Sequence, residues 1–352
     1  MFGFFTYDLK NELEALTSRN PDYLNFPKLF FYIPKHLLKF NNDKIEILSV
    51  NDPQTIFEDI QQTSIINKNQ HKILTHSKFH PRVEKATYLE NVKAIQNHIL
   101  EGDVYELNYC TEFFGNDIEI DPLETYIKLN GTSPMPFSAF QKLDDKFLLC
   151  ASPERFLKKT DQNLISQPIK GTIRRGQNEL EDEKLKQELS SSEKERAENM
   201  MIVDLVRNDL AKSAITGTVK VQEIFGIYSF PRVHQMISTI QAKLKEDATC
   251  VEAIKNAFPM GSMTGAPKIE AMKLIDKYEN SRRGLFSGAI GYFDPKQNFD
   301  FNVIIRSIFY NQTKKYLSYK VGSAITYDAI AENEFEECKL KAAVITQILT
   351  GA

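Results

Sequence analysis

Ser287-Gly288-Ala289-Ile290-Gly291-Tyr292-Phe293 leads into Asp294-Pro295-Lys296-Gln297-Asn298, and then into the apolar-rich run from Phe299 to Tyr310. Two β-prone runs joined across Asp, Pro and Asn predict a pair of strands with a turn between them. The same reading applies outward. Lys146 to Ala151 predicts a short buried strand, Asn163 to Ile169 a second, and Tyr316 to Thr326 another. Hairpin-type connections make the sheets largely antiparallel, so the class is α+β rather than a parallel dinucleotide-binding fold.

Helices are expected between these strands. Val83 to Glu101 places Ala86, Leu89, Val92, Ile95 and Ile99 at helical spacing and ends at Gly102, a C-cap residue. Glu179 to Asp209 is densely charged and helix-prone, long enough for more than one helix. Asn333 starts a C-terminal helix, with Glu336 three residues on as a loose capping box. The first stretch, Met1 to about Glu46, mixes aromatic runs such as Phe30-Phe31-Tyr32 with prolines, and Gln61 to His80 is polar and aperiodic, a linker by composition. The division is therefore an N-terminal portion, 1–80, and a catalytic region, 81–352, within one structural domain overall.

The chain has 352 residues, 42% hydrophobic and 26% charged, with a formal net charge of −3. That balance fits a globular enzyme and gives no basic footprint for nucleic acid. No apolar run approaches the length of a membrane span, and no signal-type pattern opens the chain. Cys110, Cys150, Cys250 and Cys338 are widely separated and read as reduced thiols of a cytoplasmic protein.

Lys170 stands in Gln167-Pro168-Ile169-Lys170-Gly171-Thr172-Ile173-Arg174-Arg175-Gly176. An amine near other cations and shielded from water has a lowered pKa and can act as a nucleophile; the plainer reading is a solvated charge beside a turn. Glu195 with Glu198, and Glu334 with Glu337, are i,i+3 pairs on expected helices. Each pair can share a face that holds a hard cation, or can simply be solvated. Gly261-Ser262-Met263-Thr264-Gly265-Ala266-Pro267-Lys268 runs into a helix whose first amides, helped by Lys268, could receive an anion; a tight turn is the alternative. Arg306 interrupts an apolar strand and needs an anionic partner. Glu154 follows Ser152-Pro153 at a strand end, where a partly desolvated carboxyl can serve as a general acid.

Taken in order, these segments resemble the chorismate-binding enzyme family, which includes anthranilate, aminodeoxychorismate, isochorismate and salicylate synthases. The matching runs are Ser152-Pro153-Glu154-Arg155-Phe156-Leu157, the Lys170 segment, Ala197 to Leu210, and Phe258-Pro259 to Lys268. They continue through Gly288 to Tyr292, Ile305-Arg306-Ser307, Val321-Gly322-Ser323-Ala324 and Glu334-x-x-Glu337. The resemblance covers roughly Pro81 to the C-terminus and implies two largely antiparallel sheets packed face to face with helices outside.

It also implies a chemistry. Pro-Ile-Lys-Gly-Thr at Lys170 is similar to the branch that aminates chorismate at C4, whereas anthranilate synthases look like Pro-Ile-Ala-Gly-Thr. Glu106 stands where isochorismate and salicylate synthases carry a base lysine. The implied reaction is attack of Lys170 at C2, loss of the C4 hydroxyl with Glu154 as acid, and addition of ammonia at C4, a step toward 4-aminobenzoate and folate. The implied cofactor is Mg²⁺ on Glu198 and Glu337, with Glu195 and Glu334 in or near its shell. Thr264, Gly265, Lys268, Tyr292, Arg306 and Gly322 are the implied substrate-binding positions. The chain has no Gly-x-Cys-x-Gly turn, so a separate glutamine amidotransferase subunit would supply ammonia from glutamine. Gln235, or His234 beside it, stands near the place where many relatives carry a catalytic histidine. Relatives usually have more strands before a segment like Phe2 to Lys10, which implies a short N-terminus and no evident tryptophan site.

Overall fold

The computed structural model describes residues 1–41, 43–63 and 79–351. The expected linker from Gln61 to His80 therefore lies largely outside the described residues. Every pairing between described strands of the two main sheets is antiparallel. The larger sheet runs, in spatial order, Ile169–Arg174, Val233–Lys243, Asn163–Gln167, Arg155–Thr160, Phe299–Asn302, Ala289–Phe293, Phe2–Phe5 and Leu29–Tyr32, with Lys220–Ser229 on the free side of Val233–Lys243. The smaller sheet runs Gly265–Ala266, Glu106–Gly115, Tyr316–Ile325, Ser307–Asn311, Lys146–Ser152 and Phe137–Leu143, with His80–Pro81 beside Glu106–Gly115.

Period-two alternation explains how the layers stack. In the smaller sheet Leu107, Tyr109, Phe147, Leu149, Ile308, Tyr310, Leu317 and Tyr319 join one apolar cluster. That cluster is closed by helices Lys85–Leu100, Pro122–Thr132, Lys268–Tyr278 and Ala331–Thr350. Their strand neighbours Cys110, Leu148, Cys150, Phe309 and Tyr316 join a second cluster, with Phe4, Phe156, Leu157, Leu164, Ile240 and Phe301 of the larger sheet. The two sheets thus share one apolar layer, and helix Glu193–Ser213 closes it through Ile202, Val203, Val206 and Leu210. No helix among the described residues is long and apolar enough to cross a membrane.

One strand departs from expectation. Phe299 to Tyr310, read as continuous, is two strands in two sheets, Phe299–Asn302 and Ser307–Asn311. Its partner makes the same switch, from Lys146–Ser152 to Arg155–Thr160. Pairing continues through the crossing: Asn302 is opposite Arg155, the Val303 amide donates to the Glu154 carbonyl at 3.0 Å, the Ala151 amide donates to the Arg306 carbonyl at 3.2 Å, and Ser307 is opposite Cys150. A two-stranded ribbon therefore passes from one sheet to the other, with Glu154 on one strand of the crossing and Arg306 on the other. Arg306 is not a strand residue but sits in the bend, with φ of 52°.

The helices keep closer to expectation. Glu179 to Asp209 divides into Glu179–Ser191 and Glu193–Ser213, the second capped by Ser192, whose hydroxyl accepts from the Glu195 amide at 3.3 Å. Helix Lys85–Leu100 ends before Gly102, at φ of 84°. The C-terminal helix begins at Ala331, two residues before Asn333, so the expected capping box does not form there.

Candidate active site

Where the layer between the sheets meets helices Glu193–Ser213 and Ala331–Thr350, a cavity of about 710 Å³ opens. The even-numbered side of the smaller sheet turns polar here, with Glu106, Asn108, Lys320 and Gly322. Gly322 is required: a Cβ there would lie 2.4 Å from Cys110 Sγ and 2.7 Å from Asn108 Oδ1. Lys170 and Thr172 enter from the larger sheet, Glu154 and Arg306 from the ribbon, Glu195 and Glu198 from one helix, and Glu334 and Glu337 from the other. Gly171 lets the wall close, since its φ is 88° and a Cβ would already stand 3.0 Å from Glu195 Oε2.

Lys170 is 9% exposed, and its nearest carboxylate oxygen, Glu106 Oε1, is 4.0 Å away. No hydrogen bond to its amine is present among the described residues. The expected lowering of its pKa is reversed. Burial opposes the ammonium, but Glu106, Glu198, Glu154 and Glu337 outweigh it and hold the pKa above its ordinary value. The cause is proximity: the groups that act most on the amine are these four glutamates, and Arg306 is not among them.

Glu154 is 3% exposed and accepts from the Ser262 hydroxyl at 2.6 Å. Burial lifts its pKa to about 7, although Ser262, the Ile169 amide and Lys170 pull the other way. A carboxyl in this state is about half protonated at neutral pH, and its protonated form can donate. Glu198 is likewise pushed by burial to about 7, with its Oε1 lacking any hydrogen-bond partner. Glu337, in contrast, is held below its usual range, because Lys341 at 2.5 Å and other lysines outweigh burial.

The four glutamates fit a hard cation as a sparse oxygen set. Lys194 Nζ stands 3.1 Å from Glu334 Oε1 and 3.8 Å from the orphaned Glu198 Oε1, so positive charge already occupies the space between the two helices. Two carboxylates suffice where water and substrate complete the shell. Among the described residues, the one trio of ligand atoms converging within 4.8 Å is His98, Glu101 and Asp103, outside this cavity; both His98 nitrogens are already bonded, to Asp103 at 2.7 Å and Tyr278 at 3.0 Å.

Arg306 lines the cavity, and among the described residues its guanidinium has no salt bridge or hydrogen bond; burial lowers its pKa against the pull of Glu337. A half-buried, unshared guanidinium is suited to receive a carboxylate.

Several expected binding residues are placed elsewhere. Lys268 is paired with Asp209 and also donates to the Ala257 carbonyl at 3.1 Å. Thr264 turns its hydroxyl into its own turn, onto the Met260 and Gly261 carbonyls. Gly265 pairs with Leu107, and Tyr292 is 43% exposed at a strand position opposite Phe2. None of the four lines the cavity. His234 faces away, bound to Asp182 at 2.9 Å and Ser229 at 2.8 Å, while Gln235 lines the cavity with an unpartnered Oε1. Sequence reasoning missed Asn108, Lys194, Lys341 and Ser262 as lining groups. Lys194 and Lys341 carried a signal, each lying four residues from a glutamate on its helix.

Residues 1–347 match the family described as chorismate binding enzyme. The chain is 36% identical over 96% of its length to a protein named aminodeoxychorismate synthase, chloroplastic, of Arabidopsis thaliana, of which it spans 39%. It is 34% identical over 95% of its length to aminodeoxychorismate synthase component 1 of Escherichia coli, spanning 73% of that protein. The structure of anthranilate synthase component I from Streptococcus pneumoniae is similar with a TM-score of 0.88 and 25% identity, over 99% of this chain and 80% of that one.

Proposed function

We propose that this chain, which belongs to the chorismate-binding enzyme family, replaces the C4 hydroxyl of chorismate with an amino group from ammonia, giving 4-amino-4-deoxychorismate. The observation that carries this reading is one cavity shared by an unbonded lysine amine, Lys170, and a buried carboxyl, Glu154, whose pKa burial raises toward neutrality. A binding protein needs neither. The names of the plant and enteric relatives support the same choice of product.

In this reading Arg306 receives a substrate carboxylate and the amides around Gly322 help to seat it. Lys170 gives its proton to Glu106, the nearest carboxylate, whose Oε2 has no partner. Its free electron pair then forms a bond to C2, the ring double bonds shift, and the C4–O bond breaks. Glu154 donates the proton that lets the oxygen leave as water. Ammonia adds at C4, and Lys170 departs from C2 with its electron pair. Glu198 and Glu337, with Glu195 and Glu334 beside them, would hold Mg²⁺. When bound, the ion would neutralise carboxylates that keep Lys170 charged and would polarise the ring carboxylate as a Lewis acid. Ammonia would come from a separate glutamine amidotransferase subunit, as the component naming of the enteric relative supports. The four cysteines are unpaired, which agrees with a reducing compartment such as the cytoplasm.

The test is purified chain with chorismate, Mg²⁺ and concentrated ammonium, coupled to the lyase that releases 4-aminobenzoate. Formation of 4-aminobenzoate supports the reading. Anthranilate, which is fluorescent and lacks the enolpyruvyl group, would move the chain to the anthranilate branch, and no turnover would reject both.

A further inference from the structure

Lys194 lies in the first turn of helix Glu193–Ser213, between Glu193 and Glu195. A cation there stands against the helix dipole, which favours the acidic neighbours instead. Its partners reach it from further off. Lys194 Nζ donates to Glu334 Oε1 on the C-terminal helix at 3.1 Å and lies 3.8 Å from Glu198 Oε1. Exposure across these contacts is lopsided: the lysine side chain is 54% exposed, those of Glu334 and Glu198 only 2% and 10%. The carboxylates are thus fixed parts of the cavity wall, while the ammonium reaches them from solvent on a flexible stem. Other lysines of the cavity are held by backbone. Lys341 pairs with Glu337 at 2.5 Å and donates to the Gly322 carbonyl at 2.8 Å, and Lys320 donates to the Arg282 carbonyl at 2.6 Å. Lys194 has no such backbone tie among the described residues.

We propose that Lys194 is an exchangeable counter-ion of the glutamate cluster: it competes with the divalent cation for the oxygens of Glu198 and Glu334, and swings out to solvent when the cation binds. This rests on the metal role proposed above for the four glutamates. The oxygens are the same ones. Glu334 Oε1 is engaged by Lys194, and the Glu198 Oε1 that has no hydrogen-bond partner faces the same ammonium. A divalent ion drawn to either oxygen meets a positive charge a few ångströms away, and at that separation the repulsion is large inside a protein. Moving Lys194 outward relieves it. Its stem is already half in water, so leaving opens no hole in the core and returns the ammonium to full hydration. One positive charge departs, two arrive, and the carboxylates remain paired throughout. Lys194 also ties the two helices together across the cluster, which keeps the glutamates from repelling one another apart before the exchange. The affinity for the ion is therefore set below what the carboxylates alone would give.

Mn²⁺ binding to the intact chain, read from the loss of the free-ion EPR signal and with Mg²⁺ as competitor, tests this without any turnover. Lys194→Met removes the charge and keeps the stem. It should lower the Kd for both ions about tenfold, between the few-fold worth of an exposed ion pair and the larger worth of a buried one. Lys194→Arg keeps the charge, and its Kd should stay within about threefold of wild type. Thermal unfolding gives a second readout. In chelator Lys194→Met should melt below wild type, and a fixed excess of Mg²⁺ should raise its Tm by more than it raises that of wild type. If Lys194→Met does not fold, Lys194→Gln takes its place. Unchanged or weaker ion binding by the folded neutral variant would overturn the proposal, making Lys194 a solvated charge or a support for the ion's ligands. If neither wild type nor variant binds either ion, the metal role of the glutamates fails and the exchange with it. Tighter binding by Lys194→Met in a chain that does not aminate chorismate would support the exchange and reject only the proposed reaction.

Discussion

Lys170 and Lys268 are both lysines of recognisable motifs with little exposed surface, yet the cavity wall and the packed region outside the cavity treat them oppositely. Outside the cavity, Lys268 is committed to one carboxylate, Asp209, and to a carbonyl, and burial still draws its pKa down. On the wall, Lys170 has no hydrogen-bond partner among the described residues, but stands in the summed field of several carboxylates that holds it charged. A single close partner immobilises an ammonium. A diffuse set of partners stabilises the charge while leaving the nitrogen free to move and react.

The comparison can be broken most severely at the wall. Lys170→Ala and Lys170→Arg should each lower amination by on the order of a thousandfold or more, the scale of losing a nucleophile. Neither should form a covalent adduct with chorismate by mass spectrometry. Near-normal turnover in the Arg variant would make Lys170 a charge rather than a nucleophile.

Glu154→Gln should cost about 10² to 10⁴ in turnover, the span for a general acid, and should slow adduct formation as well as product release. Glu198→Gln should follow, with a loss of roughly ten- to a thousandfold like that from an oriented electrostatic contact. Its deficit should be partly recovered by raising Mg²⁺. A loss wholly insensitive to the metal would separate Glu198 from cation binding.

Glu154 also predicts a dependence of stability on pH. Its folded pKa, about 7, lies above the ordinary carboxylate value of 4.5. Its contribution is therefore fully present below about 4.5 and is lost as pH rises through 7. Glu154→Gln should remove on the order of 3 kcal/mol of that loss. Denaturant melts at pH 5 and pH 8 should show a smaller drop for the variant. An equal drop would place the carboxyl in a wetter setting than the structure gives it.

The Lys268–Asp209 pair should respond in folding rather than in chemistry. Lys268→Met should destabilise the chain by about 3 kcal/mol, because Asp209 is left buried with a poorer partner, and Asp209→Asn in the same chain should recover most of it. The KM for chorismate should not change. A rise in that KM would return Lys268 to the substrate.

Much of this was legible in the chain. The alternation that separates Leu149 from Cys150 and Tyr319 from Lys320 announces two-faced antiparallel strands, and the motif around Lys170 picks out the reacting wall. The sheet switch was not legible. Phe299 to Tyr310 is apolar throughout apart from Asp300, Asn302, Arg306 and Ser307, and such a run has no period to reveal where it leaves one sheet for another. The fate of Lys268 depends on Asp209, 59 residues away, and no local pattern encodes that pairing. The sign of the Lys170 shift was missed for a related reason. The two arginines that follow it in sequence are bound by Glu181 and Asp182 on the neighbouring helix, leaving Glu106 of the smaller sheet, with Glu198, Glu154 and Glu337, to set the local potential.

The ribbon that belongs to both sheets has a mechanical consequence. Its rungs at Ala151, Val303 and Ser307 tie the sheets in series, so one sheet cannot slide over the other without tearing the ladder. The backbones of Glu154 and Arg306 are then held on one hydrogen-bonded framework. Any opening that admits a substrate falls to the helical side, where Lys194 links Glu198 and Glu334 by side chains alone. Amide exchange should register this as slow protons along the ribbon and faster ones in the first turns of helices Glu193–Ser213 and Ala331–Thr350.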